Sequence, residues 1–254
     1  MRVLVTRPAR EAQAWVADLR QRGIDAVSLP LLDIGPAPDP AAVRRAWESL
    51  AGVAAVMFVS GNAVERFFMF EPARQQPFTL RAWAPGPGTR DALLRAGVPR
   101  ESIDTPAPDA GQFDSQALWQ QVGDQLTAGQ RVLVVRGGDA AGQGVGRDWL
   151  AGQLLQSGVA VESVVTYTRQ PPAWAPSQFG LAQQSADRGS LWLFSSSEAI
   201  VHLQCLLPLQ RWQNAQALVT HPRIAEAARA AGFGLVSLAR PTLDDVMASI
   251  ESIR

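Results

Sequence analysis

Five short apolar runs punctuate the chain: Val3 to Val5, Ala54 to Phe58, Val132 to Val135, Leu191 to Phe194 and Ala217 to Val219. Each gives way to a stretch whose apolar positions recur with helical period. This alternation predicts parallel α/β sheets with helices between the strands. In the first helical stretch Trp15, Val16 and Leu19 fall on one stripe. Gly23 ends it as a C-cap, and Ala26 to Leu29 returns as a strand. The stretch after Val219 reads alike, with Pro222 at a helix start, Ala227 and Ala228 within it, Gly232 at the stop and a strand over Leu235 to Leu238.

The pattern is also duplicated. Arg2-Val3-Leu4-Val5-Thr6-Arg7 recurs as Arg131-Val132-Leu133-Val134-Val135-Arg136, and each leads to a helix closing on Leu-x-x-x-Gly, Leu19 to Gly23 and Leu154 to Gly158. Phe58-Val59-Ser60-Gly61-Asn62-Ala63-Val64 is matched by Phe194-Ser195-Ser196-Ser197-Glu198-Ala199-Ile200, and Pro87, Asp91, Ala92 and Gly97 by Pro222, Glu226, Ala227 and Gly232. We label segment 2–34 A, 53–104 B, 131–169 A′ and 190–238 B′. Proline-rich segments at 30–40 and 167–176 read as stiff crossings between compact units. If both cross one boundary, A joins B′ and B joins A′, which nests one unit in the other. A single linker near 105–114 would instead give AB followed by A′B′. The pattern alone leaves these two divisions even.

Composition narrows the function classes. The 254 residues, 47% of them hydrophobic, supply cores for two units of ordinary size. The 23 basic and 23 acidic residues cancel, with no basic run, which speaks against a nucleic-acid partner. All the basic residues are arginine. No side chain can form a lysine Schiff base or act as a P-loop lysine, and every fixed cation is a guanidinium able to fork onto a carboxylate. The one cysteine, Cys205, excludes an internal disulfide and is expected to pack within the apolar helical stretch Val201 to Leu207. The chain shows no signal-peptide pattern and no apolar run near the ~20 residues that span a bilayer, so a soluble cytoplasmic protein is expected.

Candidate chemistry gathers at strand ends. Thr6, Ser60, Asn62, Thr89, Ser195, Ser196 and Ser197 fall between a strand and the next helix, at the sheet edge where open α/β folds bind ligands. Unpaired N–H groups at helix N-termini attract anions there, although each residue taken singly suits helix capping as well. Gly137 to Gly146 follows a strand, but Arg147 stands where a dinucleotide fingerprint needs its third glycine, so an anion-binding or lid loop is expected instead of a nucleotide site. His202 reads as structural, and no Cys/His/Asp cluster has metal-ligand spacing. His221, before Pro222 in a strand-to-helix turn, is a candidate ligand contact. Tyr167, the single tyrosine, stands at the start of the second crossing and is protonated at neutral pH with a normal pKa near ~10, which makes it a donor and a weak acid.

These residues together resemble the uroporphyrinogen-III synthase family. The matching parts are Val-Leu-Val-Thr-Arg-Pro at 3–8, Phe58-x-Ser60-x-Asn62-Ala63-Val64, Gly86-Pro87-x-Thr89, Val134-x-Arg136-Gly137 with Gly146-Arg147, Val165-x-Tyr167, Phe194-x-Ser196-x-x-Ala199 and Pro222-x-x-Ala225, in the family's order. The resemblance implies two similar α/β lobes, each with a parallel sheet flanked by helices. The lobes are nested, 1–35 with 170–254 and 36–169, joined by a two-stranded linker near 30–40 and 165–176, with the active site between them. It implies closure of hydroxymethylbilane, a linear tetrapyrrole polycarboxylate, to uroporphyrinogen III with inversion of the terminal ring and loss of water. A monomer is expected, needing no metal or organic cofactor and no nucleic-acid or membrane partner.

Carried over by position, the resemblance implies substrate contacts at Ser60, Gly61, Asn62, Thr89 and Arg136 in one lobe. In the other it implies Thr6, Arg7, Ser195, Ser196, Ser197, His221 and Arg223. Tyr167 is the candidate general acid. The chain departs from the family at His221-Pro222-Arg223-Ile224-Ala225, often Gly-Pro-Thr-Thr-Ala, so a hydroxyl contact there is lost or replaced by Arg223. The alternative is a non-catalytic two-lobed binding protein or sensor for a small anion, in which Tyr167 would be dispensable.

Overall fold

The computed structural model describes residues 1–70, 78–139, 141–144, 149–186 and 189–253. The chain opens with β1 (Arg2–Val5), α1 (Ala9–Gln21), β2 (Ala26–Ser28), β3 (Asp33–Ile34), α2 (Pro40–Glu48), β4 (Ala55–Phe58), α3 (Gly61–Phe68), β5 (Arg81–Trp83), α4 (Pro87–Arg95) and β6 (Ile103–Asp104). It continues through α5 (Ser115–Val122), β7 (Arg131–Gly138), α6 (Trp149–Gln156), β8 (Ala160–Gln170), α7 (Pro176–Gln184) and β9 (Ser190–Phe194). It closes with α8 (Ser197–Leu206), β10 (Gln216–Val219), α9 (Pro222–Ala230), β11 (Leu235–Leu238) and α10 (Leu243–Ile253).

Two compact units result, Met1–Asp33 with Gln170–Arg254, and Ile34–Arg169. The first carries a sheet of order β2-β1-β9-β10-β11, every pairing parallel. The second carries β8-β7-β4-β5-β6, also parallel, with β3 added beside β8. Strand for strand the orders coincide, A with B′ and A′ with B. The nested pairing is therefore the one the chain adopts.

The apolar runs do not alternate because both faces of each sheet are covered. In the first unit Val3, Val5, Leu191, Leu193 and Leu218 pack with buried residues of α1 and α10, while Leu4, Trp192, Phe194, Ala217 and Val219 pack with α7, α8 and α9. In the second, Val56, Phe58, Leu133 and Val135 face α3 and α4, while Ala55, Met57, Trp83, Val132 and Val134 face α5 and α6.

Four helices end identically. Gly23, Gly97, Gly158 and Gly232 all have positive φ, and the N–H of each following residue reaches back to the carbonyl of Leu19, Leu93, Leu154 or Ala228 at 3.0–3.1 Å. These are Schellman caps, in which the left-handed residue satisfies the last helical carbonyls and turns the chain toward the next strand. Cys205 corrects the expectation of packing. α8 buries Ala199, Ile200, His202 and Leu203, and helical period leaves Cys205 exposed with Val201 on the opposite side. His202 is structural as expected, its Nδ1 hydrogen bonded to the Leu31 carbonyl at 2.7 Å.

Candidate active site

In each sheet two adjacent inner strands send their chains outward in opposite directions, β1 and β9 in the first unit, β7 and β4 in the second. That reversal opens a crevice at the strand carboxyl ends, the place where open α/β sheets bind ligands. The sequence candidates lie at these ends or at the adjacent helix N-termini.

In the second unit Ser60 is the N-cap of α3, extended at φ −162° and ψ 165°, and its Oγ accepts the Ala63 N–H at 3.2 Å. The same oxygen lies 3.0 Å from the Tyr167 hydroxyl, and either group can be the donor. Gly61 and Asn62 form the first turn of α3. A Cβ at Gly61 would meet the Gly88 carbonyl at 3.4 Å, so the N-termini of α3 and α4 lie side by side. Thr89 is buried in the first turn of α4, behind the Gly86-Pro87 cap. Arg136 is buried near the end of β7, and its side chain passes 3.4 Å from where a Cβ on Gly144 would project.

Tyr167 was expected on the connector; the structure places it inside β8. It is 3% exposed, packed with Phe58, Ala63 and Val135, because β8 runs on to Gln170 before the proline-rich segment begins. Its hydroxyl is thereby presented at the N-terminus of α3 by a rigid strand.

The glycine-rich loop also differs from expectation. Over its described residues it folds on Asp139, whose carboxylate accepts the N–H groups of Ala141 and Gln143 at 2.9 Å, while Gly138 bridges Gly144. Among the described residues, the Ala141 and Gln143 amides are thus taken by an internal anion. Gly146 and Arg147, which carry part of the resemblance, lie outside the described residues. Glu162 pairs with Arg131 at 3.0 Å, at the amino end of the strands.

In the first unit Ser196 caps α8, accepting the Glu198 N–H at 3.2 Å, with Ser195 just before it and Ser197 the first helical residue. His221 caps α9 through Nδ1, which accepts the Arg223 N–H at 3.1 Å. Accepting there puts the neutral ring's proton on Nε2. Arg223 is exposed in the first turn. Thr6 corrects the expectation of a ligand-facing hydroxyl. It is 1% exposed and its Oγ1 donates to the Leu193 carbonyl at 2.7 Å, tying the ends of β1 and β9 together. Arg7 folds back on α1, bonded to Glu11 at 3.3 Å and stacked 4.5 Å from the Trp15 ring. Burial pulls its pKa below the usual guanidinium range, and Glu11 opposes that shift.

Sequence reasoning missed Gly137 as a partner of Tyr167, having assigned it to the loop. A glycine inside a strand pattern was the available signal. Among the described residues no group of three or more His, Cys, Asp or Glu side chains could hold a metal ion, and no helix is long and apolar enough to cross a membrane.

Nested α/β units, with hydroxyl and imidazole caps at the strand ends and one buried phenol, define a class of two-unit parallel α/β proteins. Within that class the chain belongs to the uroporphyrinogen-III synthase family, whose model, described as uroporphyrinogen-III synthase HemD, matches residues 13–248. A uroporphyrinogen-III synthase of Chlorobaculum parvum is 28% identical over 184 residues, 69% of this chain and 67% of that protein. One from Synechococcus elongatus is 26% identical over 204 residues, covering 78% and 71%. The crystal structure of uroporphyrinogen-III synthetase from Helicobacter pylori matches all of both chains with a TM-score of 0.59 at 18% identity. A mutant uroporphyrinogen III synthase from Thermus thermophilus matches 99% of this chain and 98% of its own with a TM-score of 0.56 at 17% identity. At such identities the two structures share the fold. Family membership makes the protein an enzyme and disfavours the binding-protein alternative.

Proposed function

We propose that this enzyme closes hydroxymethylbilane to uroporphyrinogen III, inverting the terminal pyrrole ring and releasing water, without a metal or organic cofactor. The observation that carries the assignment of roles is the Tyr167 hydroxyl held 3.0 Å from the Ser60 cap at the N-terminus of α3.

Loss of the substrate's hydroxyl leaves an azafulvene cation delocalised over a pyrrole ring, so the leaving group needs only modest acid assistance. The Tyr167 O–H gives its proton to the departing oxygen, the C–O bond breaks and water leaves. The resulting phenolate is stabilised by the Ser60 hydroxyl, free to donate toward it, and by the positive end of α3. The substituted carbon of the terminal ring then attacks the cation to form a spiro intermediate, which fragments and recloses inverted. The proton lost as the last pyrrole regains aromaticity returns to Tyr167.

Most of the selectivity lies in holding a flexible chain so that this route outruns direct end-to-end closure. We assign carboxylate contacts to the strand ends of both units: Ser60, Gly61, Asn62, Thr89 and Arg136 in the second, Arg7, Ser195, Ser196, Ser197, His221 and Arg223 in the first. Helix-terminal amides and guanidinium forks suit that task without lysine.

The test is incubation of the purified protein with freshly made hydroxymethylbilane, followed by oxidation and separation of the porphyrin isomers. Type III product formed faster than spontaneous closure is expected. Type I alone, at the spontaneous rate, would contradict the assignment.

A further inference from the structure

On β8, Val164 and Tyr167 belong to the same cluster facing α3 and α4, although residues three apart in a regular strand point to opposite faces. The parity changes at a bulge. The register pairs Arg136 with Val165 and then Gly137 with Tyr167, which leaves Thr166 as the extra residue. Opposite the redirected tyrosine, β7 has no side chain. A Cβ at Gly137 would lie 2.5 Å from Cζ of Tyr167 and 2.8 Å from its hydroxyl oxygen. Leu133 and Val135 share the parity of Gly137 and pack in that cluster, so the ring fills the place where their next neighbour's side chain would project. Gly137 does not adopt a positive φ, so space rather than backbone freedom reserves the position for glycine.

We propose that Gly137 and the bulge at Thr166 are a positioning device that seats the Tyr167 hydroxyl on Ser60, and that Gly137 affects the type III reaction only through that hydroxyl. The effect on rate rests on the assignment of Tyr167 as the acid; the effect on the tyrosine's environment does not.

Because Tyr167 is the only tyrosine, protein grown with ring-labelled 13C-tyrosine gives a single set of tyrosine signals. In Gly137→Ala we expect the Cζ resonance to move and the type III rate to fall by at least about tenfold, as for a displaced general acid. Added to Tyr167→Phe, the same substitution should cost no more than about twofold further, because coupled residues are not additive. If Gly137→Ala alone fails to fold, Gly137→Ala with Tyr167→Leu should fold, the obstacle being the aromatic ring. Unmoved tyrosine signals in folded Gly137→Ala would overturn the proposal. So would a loss that multiplies on top of Tyr167→Phe, or a double variant with leucine that still does not fold. If Tyr167→Phe keeps the full type III rate, the acid assignment fails by itself, and the tyrosine signals alone decide whether Gly137 seats the ring.

Discussion

At the end of the first strand of each repeat, the first unit has Arg7-Pro8 and the second has Arg136-Gly137. Pro8 serves as the N-cap of α1, so the chain turns into its helix at once. Gly137 instead lets β7 run on to Gly138 and leaves room beside it for an aromatic ring. The neighbouring strand answers this difference. Beyond β2 the first unit buries Leu31 and Leu32, whereas β8 of the second carries Tyr167. Thr6 and Arg7 are tied to Leu193, Glu11 and Trp15, while the second unit holds the Tyr167 hydroxyl against a helix cap. The duplicated scaffold kept its caps and sheet order in both copies. Only the second copy places a tyrosine hydroxyl at a helix cap, at the junction where glycine stands in place of proline.

The largest expected effects test whether the units are equivalent as folded bodies. Phe58→Ala and Phe194→Ala each empty a fully buried site and should each cost about 3–5 kcal/mol by chemical denaturation. Amide exchange protection should fall first in the unit carrying the substitution; equal loss in both would merge them into one cooperative body. Next come the matched caps. Ser60→Ala and Ser196→Ala should each lose about 1 kcal/mol of capping, and Ser60→Ala about 1 kcal/mol more for the Tyr167 hydrogen bond. Steady-state kinetics should then separate the two. Ser60→Ala should lower kcat severalfold, while Ser196→Ala should raise KM with kcat within about twofold of wild type. Equal kcat losses would break the division of labour. Similar in stability to the lost cap, but with no kinetic effect expected, is the shared turn: Gly97→Ala and Gly232→Ala, both at positive φ, should lower stability equally, by about 1 kcal/mol each, in thermal melts.

Most of the scaffold was legible because its signals are local. Apolar runs covered on both faces marked β1, β4, β7, β9 and β10, and the glycines at 23, 97, 158 and 232 marked helix ends that the backbone forms as Schellman caps. Ser60 and Ser196 were placed correctly at strand ends for the same reason. What stayed hidden depends on contacts distant in sequence. The bulge at Thr166 reverses the facing of Tyr167, and no alternation rule read along β8 could show it, since the extra residue exists only relative to β7. The carbonyl that takes the Thr6 hydroxyl belongs to a strand 187 positions away. In the glycine-rich loop, composition could not show that Asp139 itself takes the Ala141 and Gln143 amides.

The central claim is that the second unit supplies the acid through one hydroxyl. Tyr167→Phe removes that oxygen and keeps the ring beside Gly137. With hydroxymethylbilane as substrate, the type III rate should fall by about 10²–10⁴-fold, the range for a lost general acid, while unused substrate closes spontaneously to type I. A folded Tyr167→Phe protein with the wild-type rate and isomer ratio would contradict it.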